Sequence, residues 1–115
     1  MLPRVNRLTG KSNFDKVLKG GEILHTPSLG LVVFREGGDM PSRVGFIISN
    51  KISKKAVVRN RVRRILREAV RENLLLLPKG VIFIFLAKRG IIDRSVEEIS
   101  GEVKRSLLHP APRND

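Results

Sequence analysis

The sequence contains no cysteine, no tryptophan and no tyrosine, and its aromatic residues are five phenylalanines. Without cysteine the chain has neither a disulfide framework nor a thiolate metal site. Its longest apolar runs, Leu74–Leu77 and Val81–Ala87, fall far short of the roughly 20 residues that a membrane-spanning helix needs. The opening Met1-Leu2-Pro3-Arg4 lacks the apolar stretch and the cleavage site of a signal peptide. These absences predict a cytoplasmic protein that does not act at a membrane.

Acidic residues are scarce as well, because 11 Asp and Glu stand against 23 Lys and Arg, for a net charge of +12. A compact protein with such an excess repels itself and usually carries it to meet a polyanion, so nucleic acid is the leading partner. At 115 residues, of which 41% are hydrophobic, the chain can bury one core but not two. We therefore predict a single nucleic-acid-binding domain over residues 1–115.

The first half of the chain predicts one short helix followed by extended segments. After an irregular opening that carries Arg4 and Arg7, Ser12 fits an N-cap, and Gly20-Gly21 ends the helix. The extended segments are Ile23–His25, Ser28–Arg35 and Ser42–Ser49. Because the residues between the last two segments include glycine, aspartate and proline, we predict that these two segments form a hairpin.

The second half predicts a long helix, a buried strand and a final helix. Helical spacing extends over Val58–Glu72, and Pro78-Lys79-Gly80 then interrupts the chain. Val81–Ala87 is almost continuously apolar, as expected of a strand buried on both faces. An amphipathic helix follows from about Ser95 to Leu108, and His109–Asp115 is predicted as a flexible tail. The order α-β-β-β-α-β-α predicts an α+β sandwich, with helices packed on one central sheet.

The long helix separates its residues into an apolar arc and a basic arc. The apolar arc contains aliphatic side chains that suit packing on a core: Val58, Val62, Ile65, Leu66, Ala69 and Val70. The adjoining arc is basic: Arg59, Asn60, Arg63, Arg64, Arg67 and Arg71. An ordinary solvated helix face mixes charges of both signs, and a membrane-binding helix carries bulky aromatic residues on its apolar side. The basic arc therefore favours a surface for phosphates, which guanidinium groups hold bidentately.

This helix lies within a stretch that resembles a known family. Ser49-Asn50-Lys51, followed by Lys54-Lys55-Ala56-Val57-Val58-Arg59-Asn60-Arg61-Val62-Arg63-Arg64-Ile65-Leu66-Arg67-Glu68, is similar to the signature of bacterial ribonuclease P proteins. Three further stretches resemble that family's first helix, the strand before the signature and the end of its last strand: Asn13–Val17, Arg43–Phe46 and Phe85–Gly90. The resemblance extends over almost the whole chain.

The resemblance implies a fold, a set of partners and a reaction. The family fold has the same element order, and its strand–helix–strand crossover is left-handed, whereas sequence alone favours the usual right hand. Family members do not cut RNA themselves: a catalytic RNA subunit that uses Mg²⁺ removes the 5′ leader of precursor tRNA, and the protein holds that leader in a cleft. The residues agree, since His25, His109 and Glu97-Glu98 form no catalytic constellation. We therefore expect a monomer that joins the catalytic RNA and precursor tRNA, without a tightly bound cofactor of its own.

The resemblance also implies which residues contact RNA. Those expected to bind RNA lie in and just before the signature helix: Lys51, Lys54, Lys55, Arg59, Asn60, Arg61, Arg63, Arg64, Arg67 and Arg71. Those expected in the leader cleft lie on the first helix, a central strand and the end of the last strand: Phe14, Leu18, Val32, Lys88 and Arg89. Phe14 suits base stacking and core packing about equally, and Asn60 suits capping, RNA binding or a metal–water site. The metal ligands stay unassigned.

Two other classes of protein share part of this pattern. A ribosomal or ribosome-associated RNA-binding protein carries the same charge and α+β order, but it would lack the extended match around Arg59-Asn60-Arg61. A DNA-binding regulator fits less well, because no helix–turn–helix spacing precedes the basic helix.

Overall fold

The computed structural model describes residues 2–108 and places three α-helices and four strands within them. In chain order these are α1 Lys11–Gly20, β1 Glu22–His25, β2 Leu29–Arg35, β3 Arg43–Ile47, α2 Ala56–Glu72, β4 Val81–Ala87 and α3 Val96–Leu108. Short 3₁₀ turns lie at Arg4–Asn6, Leu74–Leu76 and Arg89–Ile91. The order α-β-β-β-α-β-α is confirmed, while the tail predicted over His109–Asp115 lies outside the described residues.

The four strands form one sheet in the order β1-β2-β4-β3. Strand β4 pairs antiparallel with β2, where Leu31 lies opposite Phe85, and parallel with β3, where Val44 lies opposite Phe83. The predicted hairpin of β2 and β3 is therefore wrong, because β4 lies between these strands and β2 forms its hairpin with β1. The reason lies in β4. Its backbone pairs with a strand at each edge, and its apolar side chains are buried on both faces of the sheet. The β3–α2–β4 connection is a crossover between neighbouring parallel strands, and its left hand stays a prediction.

Alternate residues of the inner strands build two hydrophobic layers. Leu31 and Phe85 belong to the larger core, which α2 and α3 cover with side chains such as Leu66 and Val103. The smaller cluster on the opposite face is covered by α1 and the N-terminal segment: Leu8, Val17, Val32, Ile82 and Ile84. The helices therefore sandwich the sheet as predicted, with two on one face and one on the other.

Helix α1 begins at Lys11, one residue before the predicted cap at Ser12. Gly10 precedes it with a φ of 89°, a conformation that favours glycine, so the chain has already turned into the helix at Ser12. The predicted Ser12 cap is therefore wrong. The predicted end at Gly20-Gly21 is confirmed, and a Cβ at Gly21 would lie 2.5 Å from Val32 Cγ1. Only glycine permits this close approach of the helix end to β2.

A buried carboxylate ties α3 to the turn between β1 and β2. Glu102 is 6% exposed, and its Oε1 accepts a hydrogen bond from the Ser28 backbone amide at 3.0 Å. Burial raises the pKa of Glu102, but polar groups of Ser28 and Thr26 and the charge of Arg94 together outweigh burial. The pKa of Glu102 therefore lies below its ordinary value of 4.5, and the folded protein favours the ionised carboxylate.

We predict that Glu102→Gln lowers the free energy of unfolding at neutral pH by about 1–3 kcal/mol, because a hydrogen bond to a charged acceptor is lost. Since the folded-state pKa is depressed, the stabilisation is present above the unfolded-state pKa and is lost as pH falls through the folded-state pKa. Urea unfolding from neutral to acidic pH measures the difference. Glu97→Gln, at an exposed position of the same helix, is the control. A difference between wild type and Glu102→Gln that does not change with pH would contradict the prediction.

Candidate nucleic-acid interface

Helix α2 is held against the sheet along its apolar side and is fixed at its C-terminal end. The fully buried side chains belong to the predicted apolar arc: Val62, Leu66, Ala69 and Val70. Beyond the helix end, the Asn73 side-chain amide donates to the Ala69 carbonyl at 2.8 Å and to Ser100 Oγ of α3 at 3.0 Å. These contacts set the rotation of α2, so its basic arc points away from the core.

Two arginines of α2 bind backbone carbonyls of neighbouring loops. Arg59 Nη1 donates to the Ser53 carbonyl at 2.9 Å, in the loop that leads into the helix. Arg61 Nη2 donates to the Ile92 carbonyl at 2.9 Å, in the connection between β4 and α3. Both side chains were predicted to bind RNA, and the structure shows that each already has a role in holding the fold.

Two further arginines of α2 have side-chain partners on the helix itself. Arg71 pairs with Glu68, and this hydrogen bond lowers the pKa of the Glu68 carboxyl. Arg63 Nη1 donates to Asn60 Oδ1 at 3.1 Å. Asn60 therefore orients an arginine of the basic arc.

Arg64 and Arg67 have no such partner within residues 2–108. Both side chains are exposed, and neither side chain forms a hydrogen bond or an ion pair with any residue in that part of the chain. Like charges one turn apart on a helix repel each other, and a phosphate bound bidentately offsets that repulsion. We call Asn60, Arg63, Arg64 and Arg67 the arginine face.

The loop before α2 presents a second group of cations. Lys51, Lys54 and Lys55 are all exposed. Arg89 Nε donates to the Lys51 carbonyl at 3.0 Å, so Arg89 lines the same shallow depression as Asn50–Lys54. The structure therefore places Arg89, which was predicted in the leader cleft, beside the loop of the signature.

The other residues predicted for the leader cleft lie in different environments. Lys88 Nζ donates to the Thr26 carbonyl at 2.9 Å, which ties β4 to the β1–β2 turn. Val32 is 1% exposed beneath α1, so its side chain belongs to the core and not to a cleft surface. Leu18 is 39% exposed on α1, and Phe14 is half-buried on the same helix. Of the residues predicted for the leader cleft, Phe14 and Leu18 are therefore the two on α1 whose side chains a ligand can reach.

Phe14 packs across β3 and also faces a pocket. Gly45 makes room for the ring, because a Cβ at that position would lie 2.5 Å from Phe14 Cζ. The pocket has a volume of about 260 Å³, and Arg63 and Arg67 of the arginine face also line it. We call it the edge pocket, since it lies between the segment Leu2–Thr9, strand β3 and helix α2. Phe14 therefore contributes to packing and to a ligand-accessible surface at once.

The N-terminal segment supplies residues of this site that the sequence did not single out. The Leu8 amide donates to the Val44 carbonyl at 2.9 Å, so the segment continues the sheet beyond β3 as an isolated parallel bridge. Leu2 and Leu8 are buried, and Arg7 Nε donates to the Leu2 carbonyl at 2.9 Å. Leu2 and Leu8, two of the apolar residues in the opening, were the available signal for this docking.

The described part of the chain holds no group of three or more histidine, aspartate or glutamate residues that could bind a metal ion. Across the same residues, no helix is both long enough and apolar enough to cross a membrane.

Within residues 2–108, a basic helix crosses one face of an α+β sheet, and the side chains of two of its arginines form no hydrogen bond or ion pair. This arrangement is typical of the class of nucleic-acid-binding proteins. The family model described as Ribonuclease P matches residues 2–110, and the chain belongs to this family. The ribonuclease P protein component of Bacillus velezensis is 40% identical over 105 residues, covering 90% of this chain and 84% of that protein. The same component of Microcystis aeruginosa is 36% identical over 110 residues, covering 93% of this chain and 92% of that protein.

Solved structures agree on the fold. The ribonuclease P protein from Thermotoga maritima superposes with a TM-score of 0.79 at 23% identity, covering 92% of this chain and 98% of that chain. A structure of the Staphylococcus aureus protein has a TM-score of 0.76 at 19% identity, covering 91% of this chain and 94% of that chain. The predicted fold class and the predicted family are both confirmed. The family match also separates this chain from the ribosomal proteins and DNA-binding regulators that share its charge.

We predict that Arg64→Ala and Arg67→Ala each weaken binding to the catalytic RNA of ribonuclease P without unfolding the protein. Each lost phosphate contact should lower the slope of log affinity against log salt concentration by roughly 0.7–0.9. RNA titrations at several salt concentrations measure the slope. Arg105→Ala removes an exposed arginine of α3 and should leave the slope unchanged. Unaltered slopes for both α2 variants would mean that these arginines are simply solvated.

Proposed function

We propose that this component of ribonuclease P binds the catalytic RNA and the 5′ leader of precursor tRNA, and assists endonucleolytic removal of the leader. The observation that carries the proposal is the arginine face, where the side chains of Arg64 and Arg67 are exposed and form no hydrogen bond or ion pair with residues 2–108. Membership of the Ribonuclease P family supplies the RNA partner. A phosphate backbone offers these side chains the hydrogen-bond acceptors that they lack within residues 2–108.

We propose that the leader lies along α1. Proteins hold single-stranded RNA by stacking unpaired bases on aromatic rings and by placing cations beside the phosphates. Phe14 offers part of its ring, and Leu18 offers an exposed apolar side chain one turn later. Lys11 and Lys19 are exposed on the same helix and supply positive charge along this path.

We propose that the RNA subunit performs the chemical step with Mg²⁺, as the resemblance to the family implies. The protein contributes to the reaction in two ways. Its cations reduce the repulsion between the catalytic RNA and the precursor tRNA, and α1 orients the leader. We also propose that the protein acts in the cytoplasm and is a monomer outside the complex.

We predict that the protein alone, purified free of RNA, leaves precursor tRNA intact but accelerates cleavage by its cognate catalytic RNA at low Mg²⁺. The reason is that bound Lys and Arg replace part of the charge neutralisation that Mg²⁺ supplies at high concentration. Cleavage of 5′-labelled precursor, followed with and without the protein, measures the effect, and the acceleration should shrink at high Mg²⁺. Metal-dependent cleavage by rigorously RNA-free protein would refute the assignment.

We predict that Phe14→Ala costs about 1–3 kcal/mol of affinity for precursor tRNA that carries a leader, because one base loses its stacking partner. Affinity for mature tRNA should hardly change, since it has no leader. Because the ring is half-buried, the loss of folding stability should stay below the roughly 3–5 kcal/mol of a fully buried phenylalanine.

Phe34→Ala is the matched control for this variant. Phe34 is half-buried against the same core cluster, and Lys16 Nζ lies 5.4 Å from its ring centroid. It should therefore lower stability without distinguishing the two RNAs. Equal loss of affinity for leader-bearing and mature tRNA in Phe14→Ala would show that Phe14 is a packing residue alone.

A further inference from the structure

A series of hydrogen bonds begins on helix α3 and passes through the turn between β1 and β2. Glu102 of α3 accepts a hydrogen bond at Oε1 from the Ser28 backbone amide at 3.0 Å, and Ser28 is completely buried in that turn. The Ser28 carbonyl accepts from the Lys88 backbone amide at 3.0 Å. Lys88 Nζ donates to the Thr26 carbonyl of the same turn at 2.9 Å. The turn is therefore held by α3 on one side and by the end of β4 on the other.

The series continues from Lys88 into the loop before α2. The next residue is Arg89, and its Nε donates to the Lys51 carbonyl at 3.0 Å. The side chains of Lys51 and Lys54 are exposed and form no hydrogen bond or ion pair within residues 2–108. The backbone of the loop therefore sets where these two cations lie. That backbone is anchored by the buried side chain of Ile52 and by the hydrogen bond from Arg89.

Glu102 is the acceptor that keeps the β1–β2 turn in place. A carboxylate accepts a hydrogen bond from an amide more strongly than a neutral acceptor does. A buried amide that loses its acceptor is strongly disfavoured, so without the carboxylate the turn moves until water or another acceptor reaches the Ser28 amide. Because the same turn binds both the backbone amide and Nζ of Lys88, this movement also displaces Arg89 from the Lys51 carbonyl.

We propose that Glu102 is a positioning residue for RNA binding: through the β1–β2 turn and Arg89, it holds the loop that places Lys51 beside a phosphate of the catalytic RNA. This inference rests on the proposed function, because it requires that the loop meets RNA. Glu102 is 6% exposed, so it acts through these contacts and not by touching RNA. Two sites are coupled in this way when contiguous hydrogen-bonded groups connect them.

The experiment compares a cation that the series reaches with one that it does not reach. Glu102→Ala removes the acceptor, and Glu102→Gln is the conservative variant that retains a side-chain oxygen at the same position. Lys51→Ala removes a cation of the loop, and Arg67→Ala removes a cation of the arginine face. Both cation variants are made in the wild-type and Glu102→Ala backgrounds. Circular dichroism measures the folded fraction, and titrations of the catalytic RNA at several salt concentrations measure the Kd and its salt dependence.

We expect Lys51→Ala to lower the slope of log affinity against log salt concentration by roughly 0.7–0.9 in the wild-type background. In the Glu102→Ala background it should change the slope little, because the contact is already lost. Arg67→Ala should lower the slope equally in both backgrounds, and Glu102→Gln should keep the wild-type slope. The coupling between Glu102 and Lys51 should be about 2- to 10-fold in Kd, as between residues of one hydrogen-bond network. A loss of folding stability alone would affect both cations alike.

Either of two outcomes overturns the inference. One is a folded Glu102→Ala with the wild-type slope, and the other is the same change of slope, including none, from Lys51→Ala in both backgrounds. If Glu102→Ala does not fold, Glu102→Asp takes its place, because its carboxylate is one methylene group farther from the Ser28 amide. The same slopes are then expected, and the same two outcomes overturn the inference. Failure of the proposed function is distinguishable, because wild type would then not bind the catalytic RNA.

Discussion

The requirement of strand β4 for apolar neighbours on both edges and both faces determines the rest of the fold. Its residues Val81–Phe85 are all buried, which an edge strand with one solvated face does not allow. Strand β2 covers one edge in an antiparallel sense, and β3 covers the other in a parallel sense. Parallel neighbours cannot be joined by a tight turn, so a crossover must connect β3 to β4. Helix α2 is that crossover, and the position of the arginine face follows from it.

The same crossover explains why the edge pocket exists. Because α2 starts shortly after β3 ends, its outward arginines stand beside the exposed edge of β3. The N-terminal segment occupies that edge through the hydrogen bond from the Leu8 amide to the Val44 carbonyl. Phe14 then reaches over Gly45 from the other face of the sheet. Residues from three distant parts of the chain therefore meet at one sheet edge, with apolar groups inside and guanidinium groups outside.

Features with a local signal could be predicted from the sequence, and features set by pairing between distant segments could not. The bounds of β4, Val81–Ala87, match the apolar run, and the two arcs of α2 match its helical spacing. Residues 36–41 do turn as predicted, but the Glu36 and Gly37 amides donate to the Gly80 carbonyl at 2.8 and 3.0 Å. This turn is thus packed against the approach to β4 and does not bring β3 beside β2. Likewise, the helical spacing of the sequence predicted the basic arc. It could not predict the hydrogen bond from Arg61 to the Ile92 carbonyl, because that bond depends on how the loop after β4 packs against α2.

The positive charge of this protein serves two separate purposes, and the separation accounts for how a compact fold carries a net charge of +12. Arginines such as Arg59 and Arg61 bind backbone carbonyls and strengthen the fold in the absence of any partner. The side chains of Arg64 and Arg67 gain no such bonds within residues 2–108, and like charges three residues apart on a helix repel each other. A polyanion that binds the folded state removes this repulsion, so binding stabilises the fold through mass action. We therefore propose that an RNA complex gains more from the arginine face than from the arginines that already bind backbone carbonyls.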